Sequence, residues 1–337
     1  MNHFKSKNDV YIIAEIGGNH EGDFEYAKKL TELAAESGAD AVKFQIYTGD
    51  SLVNFKYDPD RNKHFKKFEL SSDQYIELAL LCKKLDITFM ASVWDIEAFK
   101  YMDEYMPIYK VGSGDMTAYN LIEKMVKIGK PIILSTGLAT FEEVKRVVEF
   151  IKSLDIKYIN DKKLCILQCT SMYPIPDEDA NLNVMMTYKE EFNIPFGYSD
   201  HTVGMDAIET AVSMGAQVIE VHFTDTREGK EFRDHKVSAT KDEIKELIKK
   251  IKKIRTLQGS FEKKATKSEI DSGHTQSFRR GVFAKRDLII GDIIKEDDLV
   301  TLRPLLGIGA DKFYELVGKK LTSDVKNLDS IENKSEE

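Results

Sequence analysis

Eight short apolar runs, each followed by a stretch with helical spacing, organise residues 1–257 of this chain. They occupy residues 10–14, 41–45, 87–93, 108–113, 132–135, 164–169, 194–198 and 218–223. Their apolar character is continuous rather than alternating, which calls for cover on both faces, as in a parallel sheet flanked by helices. Between the first two runs, Tyr26, Leu30, Leu33 and Ala34 share a helical stripe that Gly38 ends. Ser71 with Gln74, Thr140 with Glu143 and Thr240 with Glu243 read as capping boxes at helix starts. The longer connection through residues 56–67 is charged and reads as a loop-like surface excursion over one end. Eight such units predict a closed (β/α)8 barrel. An open dinucleotide-binding sheet would carry G-x-G-x-x-G after its first strand, and Gly17-Gly18-Asn19-His20 is a different loop.

Beyond residue 257 the texture changes. Residues 258–276 are polar and charged and read as a linker. Residues 277–337 hold four short strand candidates, 281–284, 287–290, 292–294 and 299–302, separated by turn signals. A β-rich module of roughly 60 residues is marginally stable alone, so it is expected to dock on a barrel, its own or a partner's. The final Ser335-Glu336-Glu337 is expected to fray.

A formal charge of −8 leaves no surplus of cations for nucleic acid, so an anionic ligand must be met by a few placed lysines or arginines. No run approaches the ~20 apolar residues that span a bilayer, and the N-terminus lacks a secretory h-region, which predicts a cytoplasmic protein. Cys82, Cys165 and Cys169 are an odd, sparse set suited to reduced thiols. Cys165 and Cys169 fall on one face of a strand and read as small buried hydrophobes, because no further Cys or His follows at zinc spacing.

In a (β/α)8 barrel the reactive groups stand at the C-terminal strand ends. Those ends carry Glu15, Lys43, Gln45, Ser92, Lys110, Ser113, Ser135, Ser171, Tyr173, Ser199, His201, Glu220 and His222. Lys43 and Lys110 at one mouth, with serines around them, read as a cradle for a phosphorylated anion. Phe196–Thr202 and Val218–Phe223 flank one helical segment and form a βαβ unit. Its two strands end side by side, ~4.8 Å apart, so His201 and His222 are placed to share one metal ion. Two imidazoles leave open positions, which suits a Lewis acid, and imidazole with oxygen ligands fits Mn²⁺, Co²⁺ or Mg²⁺-like use more than a thiolate zinc site. Glu15 reads either as a proton carrier or as the ion-pair partner of Lys43 on the adjacent strand. The residues alone reach a metal-assisted condensation or lyase reaction on a phosphorylated anion.

Several segments carry a resemblance to a known family. They are Ala14-Glu15-Ile16-Gly17-Gly18-Asn19-His20, Val42-Lys43-Phe44-Gln45, Tyr109-Lys110-Val111-Gly112-Ser113-Gly114-Asp115 and Leu134-Ser135-Thr136-Gly137. Tyr173-Pro174, Tyr198-Ser199-Asp200-His201-Thr202, Glu220-Val221-His222-Phe223 and Arg233-Asp234-His235 follow in order. Together they resemble the sialic acid (N-acetylneuraminate) and nonulosonate synthases. Phe278-Arg279-Arg280, Gly291-Asp292 and Arg303-Pro304 resemble the antifreeze-like SAF domain. The resemblance implies condensation of phosphoenolpyruvate with an open-chain N-acylated hexosamine, giving a nine-carbon α-keto acid and phosphate. It implies Mn²⁺ on His201 and His222, and proton handling or water orientation by Glu15. Lys43, Ser92, Lys110, Ser113, Ser135, Ser171 and Ser199 match the phosphoenolpyruvate binders. Gln45, Tyr173, Glu220 and Asp234 match the sugar binders. Arg303 resembles an arginine that reaches the N-acyl group in a partner subunit, which implies a domain-swapped homodimer; Arg279 and Arg280 read as structural.

The departures are local. Ser171 stands where the family often has Asn, Ser92-Val93-Trp94 replaces Thr-Pro-Phe, and Val221 replaces a common Lys. They leave the sugar open between N-acetylmannosamine and a 2,4-diacetamido-trideoxyhexose. A non-catalytic carbohydrate-binding or surface-polysaccharide assembly protein is the reading from another class, and the joint presence of both lysines and both histidines argues against it.

Overall fold

The structure, a computed structural model, describes residues 3–332; the terminal Ser335-Glu336-Glu337, expected to fray, lies outside the described residues. The chain divides into two compact units, Met1–Gly259 and Ser260–Glu337.

The first unit is a closed barrel of eight parallel strands in sequential order. These are β1 (Tyr11–Gly17), β2 (Ala41–Ile46), β3 (Thr88–Val93), β4 (Tyr109–Val111), β5 (Ile132–Ser135), β6 (Leu164–Cys169), β7 (Phe196–Asp200) and β8 (Val218–His222). β8 closes on β1 through pairs from Tyr11 with Val218 to Glu15 with His222. Helices stand between the strands, the first being Phe24–Ser37, started by Asp23 accepting from the Tyr26 amide and stopped by Gly38 at φ 87°. The boxes at Ser71 and Thr140 are formed, and the Thr240 amide donates to Glu243 at 2.8 Å.

Strand residues alternate between two cores. On β1, Ile12, Ala14 and Ile16 pack outward under the helices, while Tyr11 and Ile13 point into the barrel. The inner cluster continues with Ala41, Met90, Ile108, Ile133, Cys165, Leu167 and Val218, a dry plug at the N-terminal end. Two residues further along β1, β2, β3, β4, β5 and β8 the inward side chain turns polar: Glu15, Lys43, Ser92, Lys110, Ser135 and Glu220. On β7 the residue two before Ser199 is Gly197, where a Cβ would fall 1.9 Å from the Val218 carbonyl oxygen, so only glycine admits β8 at that spacing.

Three expectations are corrected. Residues 56–67 are helical, not loop-like: Pro59–Lys66 forms a helix capped by Asp58, which accepts from the Arg61 amide. An N-cap Asp followed by Pro at the first helical position is the start signal, masked in the sequence by a weak apolar stripe. The polar stretch after residue 258 contains two short helices, Lys267–Asp271 and His274–Ser277. In the second unit, two of the four strand candidates form an antiparallel pair, β9 (Gly281–Ala284) with β10 (Leu299–Leu302). The others contribute single bridges, Leu288 with Val325 and Ile293 with Lys320. Val282, Ala284, Leu288, Ile294, Leu299 and Ile308 centre that unit's own small core.

Candidate active site

A cavity of about 1570 Å³ opens at the C-terminal ends of the strands. Every barrel residue that the sequence placed at the site lines it: Glu15, Lys43, Gln45, Ser92, Lys110, Ser113, Ser135, Ser171, Tyr173, Ser199, His201, Glu220, His222 and Asp234.

The floor is a buried ionic lattice. Glu15 and Lys43 are register partners on β1 and β2, and their charged atoms stand 2.7 Å apart. The Gln45 amide donates to Glu15 Oε1 at 3.0 Å, and Lys43 Nζ donates to Ser92 Oγ at 3.3 Å. Lys110 Nζ donates to Ser135 Oγ at 2.8 Å and lies 3.4 Å from Glu220, which accepts from Ser199 Oγ at 3.1 Å. Ser113 Oγ accepts from the Gly137 amide at 3.0 Å, and Gly137 leaves room for both Ser113 and Ser171. Two ammonium groups and two carboxylates therefore balance in a water-poor layer, the condition under which buried charge is tolerated.

Their ionisation is split. Burial, with the Glu220 charge adding to it, raises Glu15 above the usual carboxylate range despite the Lys43 ion pair. Burial also works against the charge on Glu220, but Lys110, Lys43 and the Ser199 hydroxyl outweigh it and hold that group below its usual range. Lys110 is lowered by burial. Burial opposes the charge on Lys43 too, yet its two carboxylate neighbours keep it raised. Two carboxyls whose surroundings push them in opposite directions suit a proton carrier, Glu15, beside a permanent anion, Glu220.

Above the floor stand the imidazoles. His201 follows β7 and His222 ends β8; their ring centres lie 5.4 Å apart. His201 Nδ1 is 2.6 Å from the Thr170 carbonyl oxygen, which fixes a proton on Nδ1. Burial opposes the charge on this ring, but the Cys169 thiol and the Thr170 carbonyl outweigh it and raise His201 above its ordinary value, so a cation bound at Nε2 would displace a proton there. His222 is buried, its Nδ1 has no hydrogen-bond partner, and Asp234 Oδ2 stands 4.0 Å off. Burial, then the charges of His201 and Lys43, hold His222 well below its ordinary value, so it is the neutral, ligand-competent form. Metal–nitrogen bonds of about 2.1 Å set two imidazole centres on one ion roughly 4.5–5.5 Å apart, so the pair fits a shared divalent cation. Among the described residues no group of three or more His, Cys, Asp or Glu side chains is arranged to hold a metal. Tyr173 packs on His201 at 4.0 Å and meets His222 edge-on at 5.5 Å. The Arg233 guanidinium covers Tyr173 at 4.8 Å and pairs with Asp234 at 3.1 Å.

Other cavity residues were not assigned from sequence. Cys165 is part of the dry plug as expected, but Cys169, though buried, lines the cavity with its thiol 3.9 Å from His201 Nδ1. It ends β6, so the strand-end rule that found Ser135 would have found it. Asp115, five residues past Lys110, lines the cavity, and burial raises its carboxyl to about 6 against the pull of Lys110 and the Trp94 indole. Asp58, Arg61, His64 and Phe65 reach the cavity from the Pro59–Lys66 helix. Arg303 belongs to the second unit, with its guanidinium 5.2 Å over the Phe278 ring. Arg280 there donates to the Thr301 carbonyl at 2.8 Å, a structural bond.

The fold and this mouth define a (β/α)8 barrel of the nonulosonic acid synthase class, followed by an SAF domain. Residues 30–263 match the model of the NeuB family and residues 279–334 that of the SAF domain. The chain belongs to the NeuB family. It is 37% identical to the N,N'-diacetyllegionaminic acid synthase of Campylobacter jejuni, over 95% of this chain and 98% of that one. It is 34% identical to the human N-acetylneuraminate-9-phosphate synthase, over 95% and 91% of the two chains. Among solved structures, the N-acetylneuraminic acid synthetase of Leptospira borgpetersenii, crystallised with citrate, superposes with a TM-score of 0.73 at 30% identity, covering 80% of this chain and 91% of that one. No described helix is long and apolar enough to cross a membrane.

Proposed function

We propose that this chain condenses phosphoenolpyruvate with the open-chain aldehyde of an N-acylhexosamine and water, giving a nine-carbon α-keto acid and phosphate. The acceptor is N-acetylmannosamine or a 2,4-diacetamido-trideoxyhexose, and the reaction runs in the cytoplasm. The observation that carries the reading is the convergence of two buried lysines and two imidazoles on one cavity.

Lys43 and Lys110 supply fixed positive charge to the phosphate and carboxylate of phosphoenolpyruvate, and Ser92, Ser113, Ser135, Ser171 and Ser199 supply hydrogen bonds. Carbon 3 of the enol forms a bond to the aldehyde carbon, whose oxygen takes up a proton and becomes a hydroxyl. Water adds at carbon 2, and the carbon–oxygen bond to phosphate then breaks as the keto group forms. Glu15, raised by burial, holds and returns the proton at Oε1 or Oε2, while Gln45 orients it. Glu220 stays ionised and, with Gln45, Tyr173 and Asp234, accepts the hydroxyls of the acceptor. His201 and His222 would hold a divalent cation, Mn²⁺ in preference to Mg²⁺ or Co²⁺, and such an ion polarises an aldehyde oxygen. The reading includes a homodimer in which the partner subunit's Arg303 reaches the N-acyl group.

Phosphate release tests it. Release is expected only when phosphoenolpyruvate, an N-acylhexosamine and Mn²⁺ are all present, and to vanish in His222→Ala. Acceptor binding with no turnover under any of these conditions would instead identify a carbohydrate-binding protein.

A further inference from the structure

The cavity holds a carboxyl that the condensation leaves unused. Its buried carboxyls are committed to cations: Glu15 to Lys43 at 2.7 Å, Glu220 to Lys110 at 3.4 Å and Asp234 to Arg233 at 3.1 Å. Asp115 lines the same cavity, is half-buried, and among the described residues has no ion-pair partner.

Its place is fixed by the chain. Ser113–Asp115 make one turn after β4, closed by the Asp115 amide donating to the Gly112 carbonyl at 3.0 Å. That turn also carries Ser113, whose hydroxyl the Gly137 amide holds at 3.0 Å. The carboxyl faces a gap that Gly112, having no side chain, leaves open. A Cβ there would stand 3.5 Å from Asp115 Oδ2, 3.7 Å from Trp94 Nε1 and 4.0 Å from Ser92 Oγ. Ser92 in turn accepts from Lys43 at 3.3 Å. Asp115 thus stands between two serines of the phosphoenolpyruvate cradle.

A carboxylate in a cradle for a phosphorylated anion works against binding, whereas a carboxylic acid donates to a phosphate oxygen. The groups that face it are Lys110 from β4, Ser92 from β3 and the Trp94 indole just past β3. Burial outweighs Lys110 and Trp94 and holds the carboxyl at about 6, and a bound phosphate dianion raises it further. The acid form is therefore the one present when substrate is bound near neutral pH.

We propose that Asp115 is the general acid of phosphate departure: its proton passes to the oxygen bridging carbon 2 and phosphorus as that carbon–oxygen bond breaks. This rests on the condensation reading above. Two protons enter with the attacking water. One ends on the aldehyde oxygen by way of Glu15. The other leaves the carbon-2 hydroxyl as the keto group forms and, through solvent, replaces the proton that Asp115 gave. Hydrogen phosphate departs, and both carboxyls end as they began.

The test follows a single turnover of phosphoenolpyruvate by excess full-length protein with Mn²⁺ and an N-acylhexosamine, quenched in alkali, with phosphoenolpyruvate and phosphate both counted. In the wild type, phosphate appears as phosphoenolpyruvate disappears, and kcat falls above neutral pH as the carboxyl loses its proton. Asp115→Asn is expected to lower kcat about 100-fold and to consume phosphoenolpyruvate well before phosphate appears, because carbon–carbon bond formation does not use that proton. Asp115→Glu should restore part of the pace. Trp94→Phe removes a donor to the carboxylate, so it should move the alkaline fall of kcat to higher pH; it serves if Asp115→Asn folds poorly. Phosphate that keeps pace with phosphoenolpyruvate loss in folded Asp115→Asn would overturn the role of Asp115 and leave the condensation standing. So would an alkaline fall unmoved in Trp94→Phe. No release by the wild type with any N-acylhexosamine would overturn both readings.

Discussion

Glu15 and Lys43 stand opposite each other on adjacent strands and form a 2.7 Å ion pair with both side chains almost wholly buried. Lys43 thus balances Glu15 in the barrel floor, and this role separates by mutation from the phosphoenolpyruvate binding proposed for it. Lys43→Met strands a carboxyl in a dry layer and is expected to destabilise the barrel by about 3–5 kcal/mol. Lys43→Met with Glu15→Gln removes both charges and should recover most of that loss, while phosphate release stays absent in both. Urea unfolding of the two variants checks the first part and a phosphate assay the second.

Gly137 holds open the space between Ser113 and Ser171. A Cβ there would come within 2.8 and 3.0 Å of their hydroxyl oxygens. Gly137→Ala is expected to raise KM for phosphoenolpyruvate about tenfold, the worth of roughly one hydrogen bond, with KM for the sugar unchanged. Steady-state kinetics with each substrate varied in turn distinguishes this from a general loss of fold.

Asp115 gives the barrel a pH signature. Its carboxyl titrates near pH 4 when unfolded and at about 6 when folded. Between those values the folded state holds the proton more tightly than the unfolded state. Its contribution is therefore fully present below pH 4 and is lost as pH rises through 6, by at most about 3 kcal/mol. Asp115→Asn should flatten that part of the stability–pH curve and be more stable than the wild type at pH 7. Denaturation midpoints at pH 4, 5, 6 and 7 measure it.

Metal removal should act through His201 and His222 alone. Chelation is expected to abolish phosphate release and Mn²⁺ to restore it. His201→Gln or His222→Gln should raise the Mn²⁺ needed for half-maximal rate by at least about 100-fold, with folding retained. Circular dichroism together with a Mn²⁺ titration of activity checks both halves.

Much of this was legible in sequence because the barrel turns a one-dimensional rule into position. Lys43, Lys110, Ser135 and Glu220 each stand on the inward-facing parity two residues past a residue of the inner apolar cluster, so strand count and period sufficed to gather them at one mouth. Elements held by local chemistry rather than by periodicity were harder to read. The Pro59–Lys66 helix has few apolar residues, and its Asp58 cap was the sole strong signal. The 287–290 and 292–294 segments look like strands but make single bridges, because their exposed isoleucines, Ile289, Ile290 and Ile293, are not paired along a ladder. Cys169 reads as core because a thiol resembles a small hydrophobe, although its place at the end of β6 carries the same signal as Ser135 at the end of β5; its thiol lies 3.9 Å from His201 Nδ1.

The central claim is that His201 and His222 grip one divalent cation between them. Electron spin-echo measurement on the full-length protein loaded with Mn²⁺ tests it most directly. The account predicts one bound Mn²⁺ per chain with couplings from two imidazole nitrogens, reduced to one in His222→Ala. Mn²⁺ that fails to bind, or binds without nitrogen coupling, would contradict it.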